Sequence, residues 1–309
     1  MKRFKNILFF ADRSDGLRST LGRVVALTKS NNAKLTIMDV TPDAELAGYI
    51  KHTYNIDLNA TLRDQRLQIL KQLIEPFTDM NGAVDTRVVT GIPFIEVIRA
   101  VQQNHYDLVV KVAQHDSGLI ASLFGSTDMH LLRKCPCPVW IDHMQSEPVY
   151  HRILAAVDPL DDNASDLQHL IMDLATSLAT RENAELEVLH AWELPGESLL
   201  ANGRGRISRT ELDLILENTQ QHHRQALDEL LAGYNMNSQA DNVHLIKGRA
   251  AEVISSTVTK RDIDLIIMGT LGRTGIPGLF IGNTAEEVLR KTKAAALTVK
   301  PSGFISPVQ

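Results

Sequence analysis

Asn6-Ile-Leu-Phe-Phe-Ala-Asp12 returns later in the chain as Arg152-Ile-Leu-Ala-Ala-Val-Asp158. Three further pairs follow in the same order. Thr90-Gly91-Ile-Pro-Phe-Ile-Glu96-Val-Ile98 returns, one residue shorter, as Lys247-Gly248-Arg-Ala-Ala-Glu252-Val-Ile254. His105-Tyr-Asp107-Leu-Val-Val110 returns as Asp262-Ile-Asp264-Leu-Ile-Ile267, and Leu132-Arg133-Lys134 as Leu289-Arg290-Lys291. A repeat of about 150 residues is too long for a solenoid unit and means two copies of a whole domain. A feature present in one copy and missing from the other therefore points to function.

The apolar runs set the fold class. In the first copy residues 7–11, 34–40, 84–89, 108–112 and 139–141 read as strands; in the second, 153–157, 185–190, 242–246, 265–268 and 297–299 take their places. They are β-branched and nearly continuous, as parallel strands covered on both faces require. Helical spacing falls between them, at 17–29, 60–79, 93–104 and 128–134, then at 166–180, 208–233, 250–260 and 284–293. This alternation predicts two tandem α/β domains, each a doubly wound parallel sheet, over residues 1–145 and 149–309. The link Gln145-Ser-Glu-Pro-Val149 is too short to let the copies part, so they are expected to pack together.

Sheets of this kind bind ligands outside the carboxyl ends of their strands, where the strand order reverses. Asp12 and Asp158 stand there, after the first strand of each copy. After the fourth strand of the second copy comes Gly269-Thr-Leu-Gly272-Arg-Thr-Gly275-Ile-Pro-Gly278-Leu-Phe-Ile-Gly282-Asn283-Thr284. Glycines let a backbone approach a ligand closely, and a glycine loop running into a helix start aims N–H groups at phosphate. Asn283 and Thr284 stand where a helix cap or a phosphate contact is expected. Arg273, inside the loop, is placed to reach phosphate from the side.

With these residues the chain resembles the universal stress protein family in its tandem, E-type form, over nearly its whole length. The family's nucleotide loop, Gly-x2-Gly-x9-Gly-Ser/Thr, is matched by Gly269, Gly272 and Gly282, with Asn283 in the hydroxyl position. The resemblance implies a Rossmann-like fold and an adenine nucleotide, or a related nucleoside diphosphate derivative, in the second copy. Asp158 would lie beside the nucleoside; whether Mg²⁺ accompanies the phosphates is left open. In the first copy the loop keeps only Gly125-Ser126, while Val112 and His115 replace the first two glycines. A nucleotide is not expected there, because bulky residues stiffen the turn and fill the phosphate space. The resemblance also implies pairing of the domains through their last strands, here Val139-Trp-Ile141 and Leu297-Thr-Val299, as a pseudo-dimer within one chain. A further homodimer and an unidentified protein partner stay open.

Composition narrows the classes. Of 309 residues 44% are apolar and 22% charged, as in a globular protein. Residues 1–147 carry 17 basic and 16 acidic side chains, and residues 148–309 carry 15 and 21. Neither half offers a basic stripe, so nucleic acid is not an expected partner. No apolar run reaches membrane-spanning length, and Ile7–Ala11 is cut off by Asp12 too soon for a secretory leader; a cytoplasmic protein is expected. Cys135 and Cys137, around Pro136, have the spacing of neither a CxxC motif nor a zinc site and read as incidental thiols. His222-His223 reads as part of a solvated helix face, and Gly203-Arg-Gly205-Arg206 as a loop insertion. No nucleophile–base pattern or metal-ligand spacing appears, so the expected role is stress-response binding and not catalysis. A scaffold that binds no nucleotide and a weak ATPase are the alternatives.

Overall fold

The computed structural model describes residues 3–12, 16–80, 83–113, 124–143, 149–161, 165–201, 207–270 and 282–308. Its strands are β1 (Asn6–Phe10), β2 (Lys34–Thr41), β3 (Val84–Thr90), β4 (Leu108–Val112), β5 (Val139–Asp142), β6 (Arg152–Ala156), β7 (Glu185–Trp192), β8 (Val243–Lys247), β9 (Leu265–Gly269) and β10 (Ala295–Val299). The helices are α1 (Leu17–Asn31), α2 (Ala47–Tyr54), α3 (Leu58–Ile74), α4 (Pro93–Asn104), α5 (Ser126–Lys134), α6 (Ser165–Glu182), α7 (Glu197–Ala201), α8 (Arg209–Ala232), α9 (Ala250–Lys260) and α10 (Asn283–Lys291).

The chain forms two compact units. Unit 1 takes the described residues of 1–149 together with 295–309, and unit 2 those of 150–273 and 282–294. Unit 1 has strand order β3-β2-β1-β4-β5-β10, parallel from β3 to β5. Its last neighbour is antiparallel: Leu297 pairs with Trp140 and Thr298 with Val139. The two strands expected to pair from sequence thus do so. Unit 2 has order β9-β6-β7-β8, all parallel. In both, the central apolar strands are sealed on both faces; Ile7, Leu8, Phe9, Leu108, Val109, Ile153, Leu154, Leu265 and Ile266 are fully buried.

Much of the sequence repeat turns out to be architecture. Gly91 and Gly248 both have positive φ, at 148° and 145°. A Cβ there would lie 2.9 Å from Glu96 Cγ in one copy and 3.0 Å from Val253 Cγ2 in the other. Only glycine serves a chain that turns this tightly into a helix. Asp107 and Asp264 hold the start of the first strand from below: Asp107 accepts from the backbone N–H of Lys5 (2.6 Å) and Asn6 (3.0 Å), and Asp264 from His151 (2.6 Å) and Arg152 (2.9 Å). Arg133-Lys134 and Arg290-Lys291 end α5 and α10, where positive charge offsets the helix dipole.

Two departures from the expected elements have local causes. The helix expected over 60–79 stops at Ile74 and tightens into a 3-10 turn, Glu75–Met80. Pro76 has no N–H to give the carbonyl one turn back. The crossovers after β2 and β7 contain the short helices α2 and α7, neither of which buries a residue. Without a packed face they leave no apolar period to read.

Candidate functional site

In unit 2 the strand order reverses between β6 and β9, where Ala156 is registered with Met268. Asp158 lies two residues past that point, half-buried, with its backbone N–H donating to Gln168 Oε1 at 2.8 Å. Gly269 ends the neighbouring strand, and Thr270 follows it, buried. The N–H of Gly282 returns to the carbonyl of Thr270 at 2.6 Å. The glycine loop therefore starts and finishes at one place, and α10 begins there. Gly282 is the residue that caps this helix and has no side chain to bond its first turn; Asn283 and Thr284 are exposed. Gly272, Arg273, Gly275 and Gly278 lie outside the described residues.

Along the same edge, the ends of β7 and β8 and one face of α8 line an open groove of about 360 Å³. Trp192, Leu245 and Lys247 form its floor, and Asp213, Glu217 and Gln220 come down from the helix. The volume is within the range of small-molecule sites. The long α8 is placed by a reciprocal cap, with Ser208 Oγ accepting from Glu211 N–H at 3.2 Å and Glu211 Oε2 accepting from Ser208 N–H at 2.7 Å. His223 is not on a solvated face. Its Nδ1 lies 2.8 Å from Nε2 of the buried His190, and its ring centroid 5.6 Å from that of Trp192. His190 Nδ1 in turn is 3.1 Å from the carbonyl of Val157, so the pair ties α8 to the end of β6. His222 is exposed, and residues 203–206 lie outside the described residues.

The same edge of unit 1 is filled by its own side chains. Lys111, fully buried on β4, places its ammonium 2.7 Å from Asp12 Oδ2 and 2.7 Å from Asp128 Oδ1. The other oxygen of Asp128 accepts from the backbone N–H of Gly125 at 2.9 Å, so an internal carboxylate occupies the start of α5. From α3, Arg66 pairs with Asp39 at the far end of β2 and donates to the carbonyls of Ala11 (3.0 Å) and Asp12 (3.3 Å). Burial holds the Asp39 carboxyl above its ordinary pKa even though Arg66 pulls it down. Counting along matching strands and helices, Lys111 corresponds to Met268, Asp128 to Ala285 and Asp39 to His190. Val112 closes β4, Gly125 precedes α5, and His115 lies outside the described residues.

The model of the "Universal stress protein family" matches residues 3–143 and again 149–300. The chain belongs to the universal stress protein family. It is 27% identical to Universal stress protein E of Escherichia coli K12, over all of this chain and 98% of that one. It is 24% identical to the Universal stress protein E homolog of Haemophilus influenzae, over 97% of this chain and 98% of that one. Its fold is similar to a protein of Pseudomonas aeruginosa UCBPP-PA14 (TM-score 0.74, 23% identity, 98% and 95% covered). A universal stress protein from Archaeoglobus fulgidus is similar too (TM-score 0.63, 18% identity, 96% and 99% covered).

Within this universal stress protein the two copies differ in what they present to an anion. The start of α10 has Ala285 where α5 has Asp128, and the carboxylate of its first turn, Glu286, pairs with Arg290 at 2.8 Å, so its backbone N–H groups suit phosphate oxygens. The start of α5 has Asp128, which takes the N–H of Gly125. The Lys111 plug was missed in the sequence reading; its signal is a charge inside an otherwise apolar strand, Leu108-Val-Val-Lys111-Val112. Among the described residues, no three His, Cys, Asp or Glu side chains converge to hold a metal, and no helix is long and apolar enough to cross a membrane.

Proposed function

We propose that the second copy binds one adenine nucleotide or related nucleoside diphosphate ligand, and that the first copy serves as its partner and scaffold. The observation that carries this reading is the 2.6 Å bond from Gly282 N–H to Thr270 O, which sets the start of α10 at the end of β9, beside the strand end that leads to Asp158. Phosphates would lie on the α10 N-terminus and the glycine loop (Gly269, Gly272, Arg273, Gly282, Asn283, Thr284), with Asp158 toward the nucleoside. The neighbouring 360 Å³ groove under Trp192 offers room for a group carried by the ligand. In the first copy Lys111 and Asp128 take up the equivalent space. Binding in the cytoplasm, and not turnover, would be the activity, ordering a surface for a protein partner.

Calorimetric titration of the full chain with ATP and with ADP, with and without Mg²⁺, tests it. One site per chain is expected, abolished by Gly272→Val in a variant that stays folded, because a side chain there bars the backbone from phosphate. Full affinity in the folded Gly272→Val variant would refute the loop as the site. No binding to the parent would favour a pure scaffold, and loop-dependent phosphate release would make the protein an ATPase.

A further inference from the structure

Cys135 and Cys137 are the chain's only cysteines, and the structure sets their sulfurs 3.6 Å apart across Pro136. Spacing alone gave them no role; contact does. Counted from Leu132-Arg-Lys and Leu289-Arg-Lys, the second copy has Thr292 and Ala294 in their places, so the dithiol belongs to one copy only. We propose that Cys135 and Cys137 form a reversible dithiol–disulfide site that a hydroperoxide oxidises.

Three features of the surroundings support this chemistry. Cys135, fully buried, caps the end of α5, and Cys137 is half-buried beside it, the nearer of the two to solvent. Lys300, after β10, is buried over the same turn: its ammonium donates to Leu132 O at 2.6 Å and sits 4.9 Å from the Phe304 ring centre. Burial brings the Lys300 pKa down to about 8, against the pull of both thiols. For Cys135, burial opposes ionisation, but the hydrogen bonds from Cys137 and the charge of Lys300 outweigh it and lower its pKa. Cys137 moves the other way, well up, through its bond to Cys135, burial and the negative charges of Cys135 and Asp107. Of the two sulfurs, Cys135 is thus the one that gives up its proton more readily.

The step balances. Cys135, as thiolate, takes the proton of Cys137 as the Cys137 sulfur attacks the outer peroxide oxygen. The O–O bond breaks, an alcohol or water leaves with a proton from solvent, and Cys137 becomes a sulfenic acid. Cys135 sulfur then attacks the Cys137 sulfur; the S–S bond forms, the S–OH bond breaks, and water leaves with the Cys135 proton. Two electrons pass from the two sulfurs to the peroxide. A thiol reductant reopens the bond by thiol–disulfide exchange.

The test treats the reduced full-length protein with hydrogen peroxide, denatures it in N-ethylmaleimide and measures intact mass. The expected product is a monomer lighter by two hydrogens, with no maleimide adduct, restored to two adducts by dithiothreitol. Cys137→Ser should keep Cys135 open to maleimide after the same treatment, since the remaining thiol is the buried one. Lys300→Met should move the pH profile of oxidation upward and slow it about threefold near neutral pH, since lost thiolate is partly offset by higher nucleophilicity. Two adducts after excess peroxide, disulfide-linked dimers, or an irreversible sulfinic acid as the main product would overturn the site. An unchanged pH profile in Lys300→Met would remove Lys300 as a positioning residue.

Discussion

Exchanging Lys111 for the second copy's residue, Lys111→Met, tests whether the first copy's edge is sealed by charge. The ammonium lies 2.7 Å from each of two carboxylates, and the side chains of Lys111, Asp128 and Asp12 are 0%, 0% and 10% exposed. Removing one partner of a buried pair costs about 3–5 kcal/mol, because the other charge stays behind without water. Here one cation serves two carboxylates, which places the cost near the top of that range. Adding Asp128→Ala makes both positions those of the second copy and removes the fully buried carboxylate. The double variant should recover at least half of the loss. It should not recover all, since Asp128 also accepts from Gly125 N–H, a bond worth about 1 kcal/mol. Urea unfolding is the assay. With two units a single global signal is not interpretable, but the chain has two tryptophans, and only Trp140 is in unit 1. A Trp192→Phe background thus reports unit 1 by fluorescence. A single variant within about 1 kcal/mol of the parent, or a double variant no more stable than the single, would refute the plug.

Asp158→Ala should weaken nucleotide binding by about 1–3 kcal/mol, the value of a lost charged hydrogen bond, while Asp12→Ala leaves affinity and the one-site stoichiometry unchanged in calorimetry. Two equivalent sites in that titration would reverse the roles of the copies. Burial brings the Lys300 pKa down to about 8 from its ordinary 10.5, so the unfolded chain holds more protons between those values. Unit 1 should then gain stability as the pH rises through that window. The difference between Lys300 and Lys300→Met, both measured with Cys135→Ser and Cys137→Ser so that no thiol titrates, should show the gain, and parallel curves would rule it out. Deleting residues 295–309 should bare the β5 edge of unit 1. Light scattering should show self-association of the shortened chain, and a stable monomer would count against that.

The repeat made the fold legible because the residues that recur are the ones that build it: Gly91 and Gly248 for their positive φ, Asp107 and Asp264 for the strand start. The site was legible where it departs from the repeat through glycine, and less so where it departs through packing. Lys111 and Asp128 are far apart in sequence, and only the sheet brings them together. The same holds for His190 and His223: periodicity places His223 on a helix, but not which face meets β7. Contact between Cys135 and Cys137 was invisible for a different reason. Pro136 and the turn it forms decide where the sulfurs point, and spacing rules built on CxxC do not cover it.

The sharing of β10 sets a timetable for biosynthesis. A ribosome finishes β5 long before it reaches Ala295, and at ordinary elongation rates the delay is roughly 10–30 s. During that interval the nascent first half has every parallel strand of its sheet but no antiparallel neighbour for Trp140. Its β5 edge, apolar and four residues long, is then a natural client for a holding chaperone. Vectorial synthesis therefore couples the fate of the first half to the completion of the second: a message cut short anywhere before β10 would yield a first half without its closing strand, ready for proteolysis and not for accumulation.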